Sequence, residues 1–216
     1  MKRWSVLVIV LVLSGLLWTG CDIFGTKEDY YPLTVGNSWS YRGHARVLTA
    51  TDDQPDTVQT MTIQVVATGQ DNLNSGEEVI RLVNTTSVHM YFPFESTYTV
   101  VETTYEREAG SFVLSYESKT DSAPDTTLAL PLTKDKTWRI NEFTVARVLQ
   151  QEDVSVPAGT YRSAWKIEQT VNTGAQTFTQ HWWYANNVGP VKAHWQESYG
   201  TANYEFSLEL TSATIK

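Results

Sequence analysis

An unbroken two-residue alternation near the end of the chain most constrains its fold. The apolar members of the run are Tyr204, Phe206, Leu208 and Leu210, and the polar members are Asn203, Glu205, Ser207 and Glu209. Successive side chains of a strand point to opposite faces, so this pattern predicts a strand with one buried face and one wet face. The segments 165–172 and 112–116 repeat the pattern. The chain is therefore predicted to build its core from half-buried strands.

From Ser38 onward, short runs rich in Val, Thr, Tyr, Trp and Phe alternate with turn residues. Their spacing of roughly ten residues predicts an all-β domain with about ten antiparallel strands joined mostly by hairpins. Such a meander closes into a barrel, a half-barrel or a sandwich to cover its edges, and the sequence leaves that choice open. No long linker interrupts it, so residues 30–216 are predicted to form a single domain.

The first twenty residues have the pattern of a secretory signal peptide. Lys2 and Arg3 precede an apolar stretch that ends in the small residues Thr19 and Gly20. A membrane-spanning helix would need about 20 apolar residues, so cleavage of residues 1–20 is the preferred interpretation.

The segment Trp18-Thr19-Gly20-Cys21 resembles the lipobox of bacterial lipoproteins, although that family usually has Leu where Trp18 stands. The resemblance implies that Cys21 is lipidated and that residues 21–29 form a lipidated cysteine and a short tether. Because Cys21 is the only cysteine, it has no disulfide partner within the chain. The alternative is an ordinary signal with an incidental cysteine. We expect a domain outside the cytoplasm, anchored to an envelope membrane that the sequence does not specify.

The acidic balance of the chain argues against one class of partner. Removing residues 1–20, which contain two basic residues and no acidic one, moves the net charge from −8 to −10. Such a charge repels phosphate backbones, so nucleic acid is not an expected partner.

No local pattern predicts catalysis, a metal site or a cofactor. The four histidines, His44, His89, His181 and His194, lack the converging ligands that zinc requires, although His181 and His194 could approach each other across a hairpin. There is no phosphate loop and no nucleophile elbow. We therefore expect no enzyme, and keep a hydrolase built from acids distant in sequence as the weaker alternative.

Aromatic residues are abundant, with 8 Trp, 11 Tyr and 7 Phe. A dense group, Trp182, Trp183 and Tyr184 with nearby Trp195, is the candidate ligand-binding set. Because adjacent strand residues face opposite ways, Trp182 and Trp183 cannot enter the same core. The second indole lies under a loop, between sheets or at a membrane-facing rim, or else it lines an apolar ligand groove.

Three motifs resemble a set found in secreted bacterial lipoproteins of unknown function. They are Tyr31-Pro32-Leu33 through Gly36-Asn37-Ser38-Trp39-Ser40-Tyr41, then Val154 to Tyr161, and finally Trp183 to Lys192. The resemblance implies a mainly antiparallel β domain on the cell envelope with no catalytic residues to carry over. Residues 45–130 match no motif.

Two functions follow as hypotheses. The first is a non-enzymatic envelope lipoprotein whose curved sheet binds an apolar ligand, such as a lipid, or an extended segment. The second is a structural or assembly lipoprotein that engages another envelope protein through a sheet edge or an aromatic patch.

Overall fold

The computed structural model describes residues 28–48, 56–91, 94–199 and 202–216. The predicted signal peptide and Cys21 lie outside these ranges. Within them there is no α-helix, in agreement with the all-β prediction. The described part of the chain accordingly contains no helix long and apolar enough to span a membrane.

Twelve β-strands form in the described residues. In chain order they are β1 (Ser38–Leu48), β2 (Asp56–Asn72), β3 (Glu78–Met90), β4 (Ser96–Ala109), β5 (Phe112–Tyr116), β6 (Asp125–Ala129), β7 (Thr137–Arg139), β8 (Thr144–Val156), β9 (Gly159–Asn172), β10 (Thr177–Ala185), β11 (Gly189–Tyr199) and β12 (Ala202–Thr214). The two strands beyond the predicted number are explained by β6 and β7. These have only five and three residues, too few to show a clear alternation.

All twelve strands join in one antiparallel sheet that curls into a nearly closed barrel. Its order is β6-β5-β4-β3-β2-β1-β12-β11-β10-β9-β8-β7, so the first and last strands pair in the middle. The two edges, β6 and β7, meet at a seam. There the Thr126 N–H donates to the Ile140 carbonyl at 2.9 Å, and the Trp138 indole donates to the Thr126 carbonyl at 3.0 Å.

The meander gives the barrel two distinct ends, because consecutive antiparallel strands reverse direction. We call the end where β1 begins and β12 finishes the proximal end, and the end that carries the β1–β2, β3–β4 and β11–β12 connections the distal end. The N-terminal segment 28–37 lies against the proximal end, where Tyr30 belongs to the core.

The inner face can be followed from strand to strand, since directly paired residues share a face. One row of partners from β8 to β4 consists of Val148, Ile167, Trp182, Ala193, Leu208, Gly43, Met61, Val88 and Tyr98. Most of its members are buried or partly buried, so this row marks the inside of the barrel.

Asn37 fastens the proximal end. Its buried side chain donates to the Pro32 carbonyl at 2.9 Å and accepts from the Lys216 N–H at 2.9 Å. The Gly36 before it has a φ of 91°, which suits the turn that leads into β1. The motif that contains Gly36, Asn37 and Trp39 therefore ties the N-terminal segment to the C-terminus.

The hairpin of β8 and β9 bends over the outer face near its tip. Register shifts in β8 at Val148/Gln150 and Glu152/Val154 bend the strand, as β-bulges do. Beyond them, β8 contacts β11 and β12, with which it does not pair, and the Ala158 N–H donates to the Leu210 carbonyl at 3.0 Å. Pro157 and Ala158 form the turn itself.

Candidate functional site: the interior of the barrel

The predicted aromatic set divides between the two faces of the wall. Trp182 pairs with Ile167 and Ala193 on the inner face. Trp183 pairs with Lys166 and Lys192, so it belongs to the outer face. The sequence argument that these two indoles cannot share one core agrees with this arrangement.

Trp183 lies beneath the bent β8–β9 hairpin and is only 7% exposed. Its indole N–H donates to Glu152 Oε1 at 2.6 Å, and it packs in one apolar cluster with Val154 and Ala164. The ammonium groups of Lys166 and Lys192 lie 5.0 and 5.6 Å from its ring centroid. Of the locations open from the sequence, the structure shows Trp183 covered by a neighbouring hairpin.

Trp195 and Trp182 line the inner face. The Trp195 ring stacks on Phe206, with centroids 4.9 Å apart and ring planes 5° apart. Both tryptophans are partly exposed, and the indole of Trp182 donates to Gln180 Oε1 at 3.3 Å. Tyr184, the fourth predicted residue, is buried in the main core. Two of the four candidate residues thus offer partly exposed surface to the barrel interior.

Apolar side chains of β4 extend this inner wall toward the distal end. Tyr98 ends the inner row described above and is 46% exposed. Val100 is 41% exposed. It ends a second inner row of paired residues, which runs from the buried Tyr41 through Ile63 and Thr86. Phe94, in the connection that precedes β4, is exposed at the rim. The concave face therefore carries apolar surface that the protein itself does not cover.

Glu106 is a buried acid on the inner face, and sequence analysis did not identify it. It is 5% exposed, and its Oε1 accepts hydrogen bonds from the Tyr31 hydroxyl at 3.2 Å and the Ser115 hydroxyl at 3.4 Å. Its Oε2 is buried and has no hydrogen-bond partner among the described residues. Burial raises the pKa of Glu106 to about 7, while the hydrogen bonds from Tyr31 and Ser115 oppose the shift.

The Glu106 carboxyl contributes to the raised pKa values of two neighbouring tyrosines. Burial and then the nearby Glu106 carboxyl raise the pKa of Tyr31 well above its usual value, and the same two causes raise the pKa of Tyr184. Glu106 also lines a cavity of about 180 Å³ together with Tyr31, Trp39 and Tyr41. The sequence carried no signal for Glu106, because an acid within a strand can point either inward or outward.

The four histidines share one row of cross-strand partners on the outer face. The row passes through Glu168, His181, His194, Ser207, His44, Thr60, His89 and Thr97. His181 and His194 are direct partners, but His194 Nε2 lies 3.0 Å from Glu205 and His44 lies 2.9 Å from the Ser207 hydroxyl. Among the described residues, no group of three or more His, Cys, Asp or Glu side chains could hold a metal ion.

The structure does bring acids distant in sequence together. Glu78, Glu106 and Glu108 line one depression of about 230 Å³. Glu106 is almost fully buried there, whereas Glu78 and Glu108 are exposed.

Residues 46–208 match the model of the DUF3108-like family, which is 163 of the 216 residues. The chain belongs to the DUF3108-like family. The family description names no enzymatic activity. The match includes part or all of each described strand, and it contains the motifs at Val154–Tyr161 and Trp183–Lys192. The first motif, at Tyr31–Tyr41, precedes it. No curated protein matches the sequence.

Two solved structures show distant similarity to this DUF3108-like chain. One, from Bacteroides fragilis NCTC 9343, is described as a "putative exported protein with YmcC-like fold"; at 11% identity and a TM-score of 0.40, the alignment covers 85% of this chain and 98% of that one. The other, from Parabacteroides distasonis ATCC 8503, is described as a "putative lipoprotein"; it has 13% identity, a TM-score of 0.41 and coverages of 87% and 99%.

Proposed function

We propose that this protein is a cell-envelope lipoprotein, anchored through Cys21, whose barrel binds an apolar ligand without catalysing a reaction. The observation that carries the proposal is the apolar inner wall left exposed toward the distal end. Tyr98 and Val100 are exposed there although both face inward. Binding sites for small molecules are concave and mostly apolar, with few polar groups.

The aromatic residues of the inner wall suit such a ligand. Trp195 and Phe206 present a stacked pair, and Trp182 lies in the neighbouring inner row. Large aromatic rings bury much apolar area at a low cost in side-chain entropy. We therefore expect the ligand to contact Trp182 and Trp195, while Trp183 and Tyr184 act through the packing of the wall.

The proposed anchor supports an envelope location. The Lys2–Gly20 segment and its lipobox-like end at Cys21 are the observations behind it. A diacylglyceryl group would hold the protein at a membrane because each buried methylene contributes about 0.8 kcal/mol.

The sheet edges bear on the alternative function, in which the protein engages another envelope protein. A partner that binds by adding a strand needs a free sheet edge. Here the short edges β6 and β7 face each other, and both backbone polar groups of Thr126 are engaged across the seam. Strand addition at the seam would require it to open, whereas residues 96–104 of β4, which pair with β3 but not with β5, leave a stretch of edge among the described residues.

A pair of adjacent valines provides a sharp test. Val100 lies on the inner face and is 41% exposed, while Val101 lies on the outer face and is 63% exposed. Val100→Asp would place a charge against an apolar ligand, whereas Val101→Asp makes the same change in the same strand outside the barrel. The probe is the neutral fluorophore N-phenyl-1-naphthylamine, titrated into residues 22–216.

We expect Val100→Asp to weaken probe binding at least tenfold and Val101→Asp to change it less than twofold. Equal effects of the two substitutions, or no saturable binding by the unsubstituted protein, would contradict the proposal.

A further inference from the structure

Glu106 is a buried acid with unmet hydrogen-bonding capacity. One oxygen receives two long hydrogen bonds, from Tyr31 and Ser115, and the other has no partner in the part of the chain that the structure describes. Buried acceptors are nearly always paired, and leaving one unpaired costs free energy. The site therefore favours a guest that donates a hydrogen bond to Glu106 Oε2.

The cavity beside Glu106 is rich in aromatic residues. Tyr31, Trp39 and Tyr41 line it, and the described residues that line it include no Lys, Arg or His. The Trp39 indole N–H donates to the Val188 carbonyl at 2.6 Å, and the Tyr41 hydroxyl donates to the Pro190 carbonyl at 2.9 Å. Because these polar groups are already engaged, Trp39 and Tyr41 have mainly ring surface to offer a guest.

We propose that this cavity binds the ammonium group of a small primary amine, with Glu106 as its counter-ion and the rings of Tyr31, Trp39 and Tyr41 around it. The site is distinct from the distal inner wall, and none of its lining residues belongs to the apolar ligand site proposed above. The inference therefore goes beyond the proposed function and does not depend on it.

The chemistry of the cavity selects this class of ligand. A carboxylate and aromatic faces both attract a cation, and the unpaired oxygen additionally calls for an N–H donor. An anion would meet Glu106 without any compensating positive charge. A metal ion would need several ligands, and the described residues provide no such group.

The size of the cavity limits the ligand. Its volume of about 180 Å³ is small beside ligand pockets of about 300–1,000 Å³. A short alkylammonium group fits that space, whereas an intact lipid does not. The amine is therefore either a small free molecule or the end of a larger one.

Ethylammonium chloride is the probe for the test, titrated into residues 22–216 at pH 8.5 and constant ionic strength. Glu106 is ionised at this pH, and a primary amine is still protonated, since a lysine amine has a pKa of about 10.4. A three-atom probe binds at best in about the millimolar range, so the readout is the ¹³C shift of the Glu106 carboxyl carbon together with calorimetry.

The matched variants are Glu106→Gln and Glu102→Gln. Glu102 is an exposed acid on the same strand and the same face, so it controls for loss of one negative charge. Glutamine keeps the shape of Glu106 and can still accept from Tyr31 and Ser115, and circular dichroism will verify the fold of both variants.

We expect saturable binding of ethylammonium that weakens at least tenfold in Glu106→Gln and changes less than twofold in Glu102→Gln. Ethanol and tetramethylammonium should bind at least tenfold more weakly, because the first lacks the charge and the second lacks the N–H. No saturation by ethylammonium, retained affinity in Glu106→Gln, or equal affinity for either analogue would overturn the proposal.

Discussion

The indole N–H of Trp183 donates to Glu152 Oε1 at 2.6 Å across the junction between β10 and the bent part of β8. The two residues are 31 positions apart in sequence, and the bond fastens the β8–β9 hairpin to the outer face of the barrel. Trp183 therefore stabilises the wall from outside, while its neighbour Trp182 faces the interior.

Trp183→Phe should destabilise the protein without affecting the proposed ligand site. Phenylalanine keeps much of the packing against Val154 and Ala164 but loses the hydrogen bond to a carboxylate, which is worth about 1.5–3 kcal/mol. Urea unfolding of residues 22–216 measures the loss. The control is Trp195→Phe, which keeps an aromatic ring beside Phe206 and should cost less, because Trp195 is only partly buried. Equal losses would show that the Glu152 contact contributes little.

Asn37→Ala should loosen the proximal end. The substitution removes a donor to the Pro32 carbonyl and an acceptor from the Lys216 N–H, both at 2.9 Å. Leaving buried polar groups unpaired costs about 1–3 kcal/mol each, so we expect a loss of at least about 2 kcal/mol in urea unfolding. Hydrogen exchange should accelerate first at the start of β1 and the end of β12. Uniform acceleration throughout the barrel would contradict a local fastening role.

Glu106→Gln should alter how stability depends on pH. The pKa of Glu106 is 4.5 in the reference state and about 7 in the folded protein, so the folded state binds the proton more tightly. The contribution of protonated Glu106 to the stability of the folded protein is complete below about pH 4.5 and is lost as the pH rises through about 7. Glu78, Arg107 and Glu108 line the adjacent depression and also face this region.

The Gln variant cannot ionise and should lack that decline. We expect its stability to exceed that of the unsubstituted protein by up to about 3 kcal/mol at pH 8, and by much less at pH 4.5. Urea unfolding at a series of pH values measures the difference. Glu102→Gln should show no such pH-dependent gain, and a parallel gain in both variants would refute the assignment to Glu106.

Cys21→Ser should release the protein from its membrane. The substitution removes the sulfur that would carry the diacylglyceryl group. We expect the unsubstituted chain in the membrane fraction, with an intact mass increased by lipid, and the variant in the aqueous fraction. An unsubstituted chain with no added lipid mass would exclude the anchor.

The strand pattern predicted the fold class well because alternation reports directly on which faces are buried. The strand from Ala202 to Thr214 contains the run Tyr204–Leu210, whose side chains alternate between inner and outer faces as expected. Alternation does not show which strands become neighbours, so closure into a barrel, the β1–β12 pairing and the β6–β7 seam all required the structure.

For the candidate sites too, the sequence predicted local features but not contacts between distant segments. Sequence reasoning placed Trp182 and Trp183 on opposite faces, because adjacent residues of a strand point to opposite faces whatever the rest of the fold is. It could not place the β8–β9 hairpin over Trp183, because bulges at Val148/Gln150 and Glu152/Val154 bend that hairpin. Glu106 escaped notice for a related reason, as its partners Tyr31 and Ser115 come from other segments.

The most direct test of the proposed apolar ligand site is native mass spectrometry of residues 22–216, prepared without detergent from the native host, with organic extraction of the same sample. We predict a reproducible mass above that of the bare chain and an apolar compound in the extract, both lost in Val100→Asp and kept in Val101→Asp. A bare-chain mass with an empty extract would contradict it.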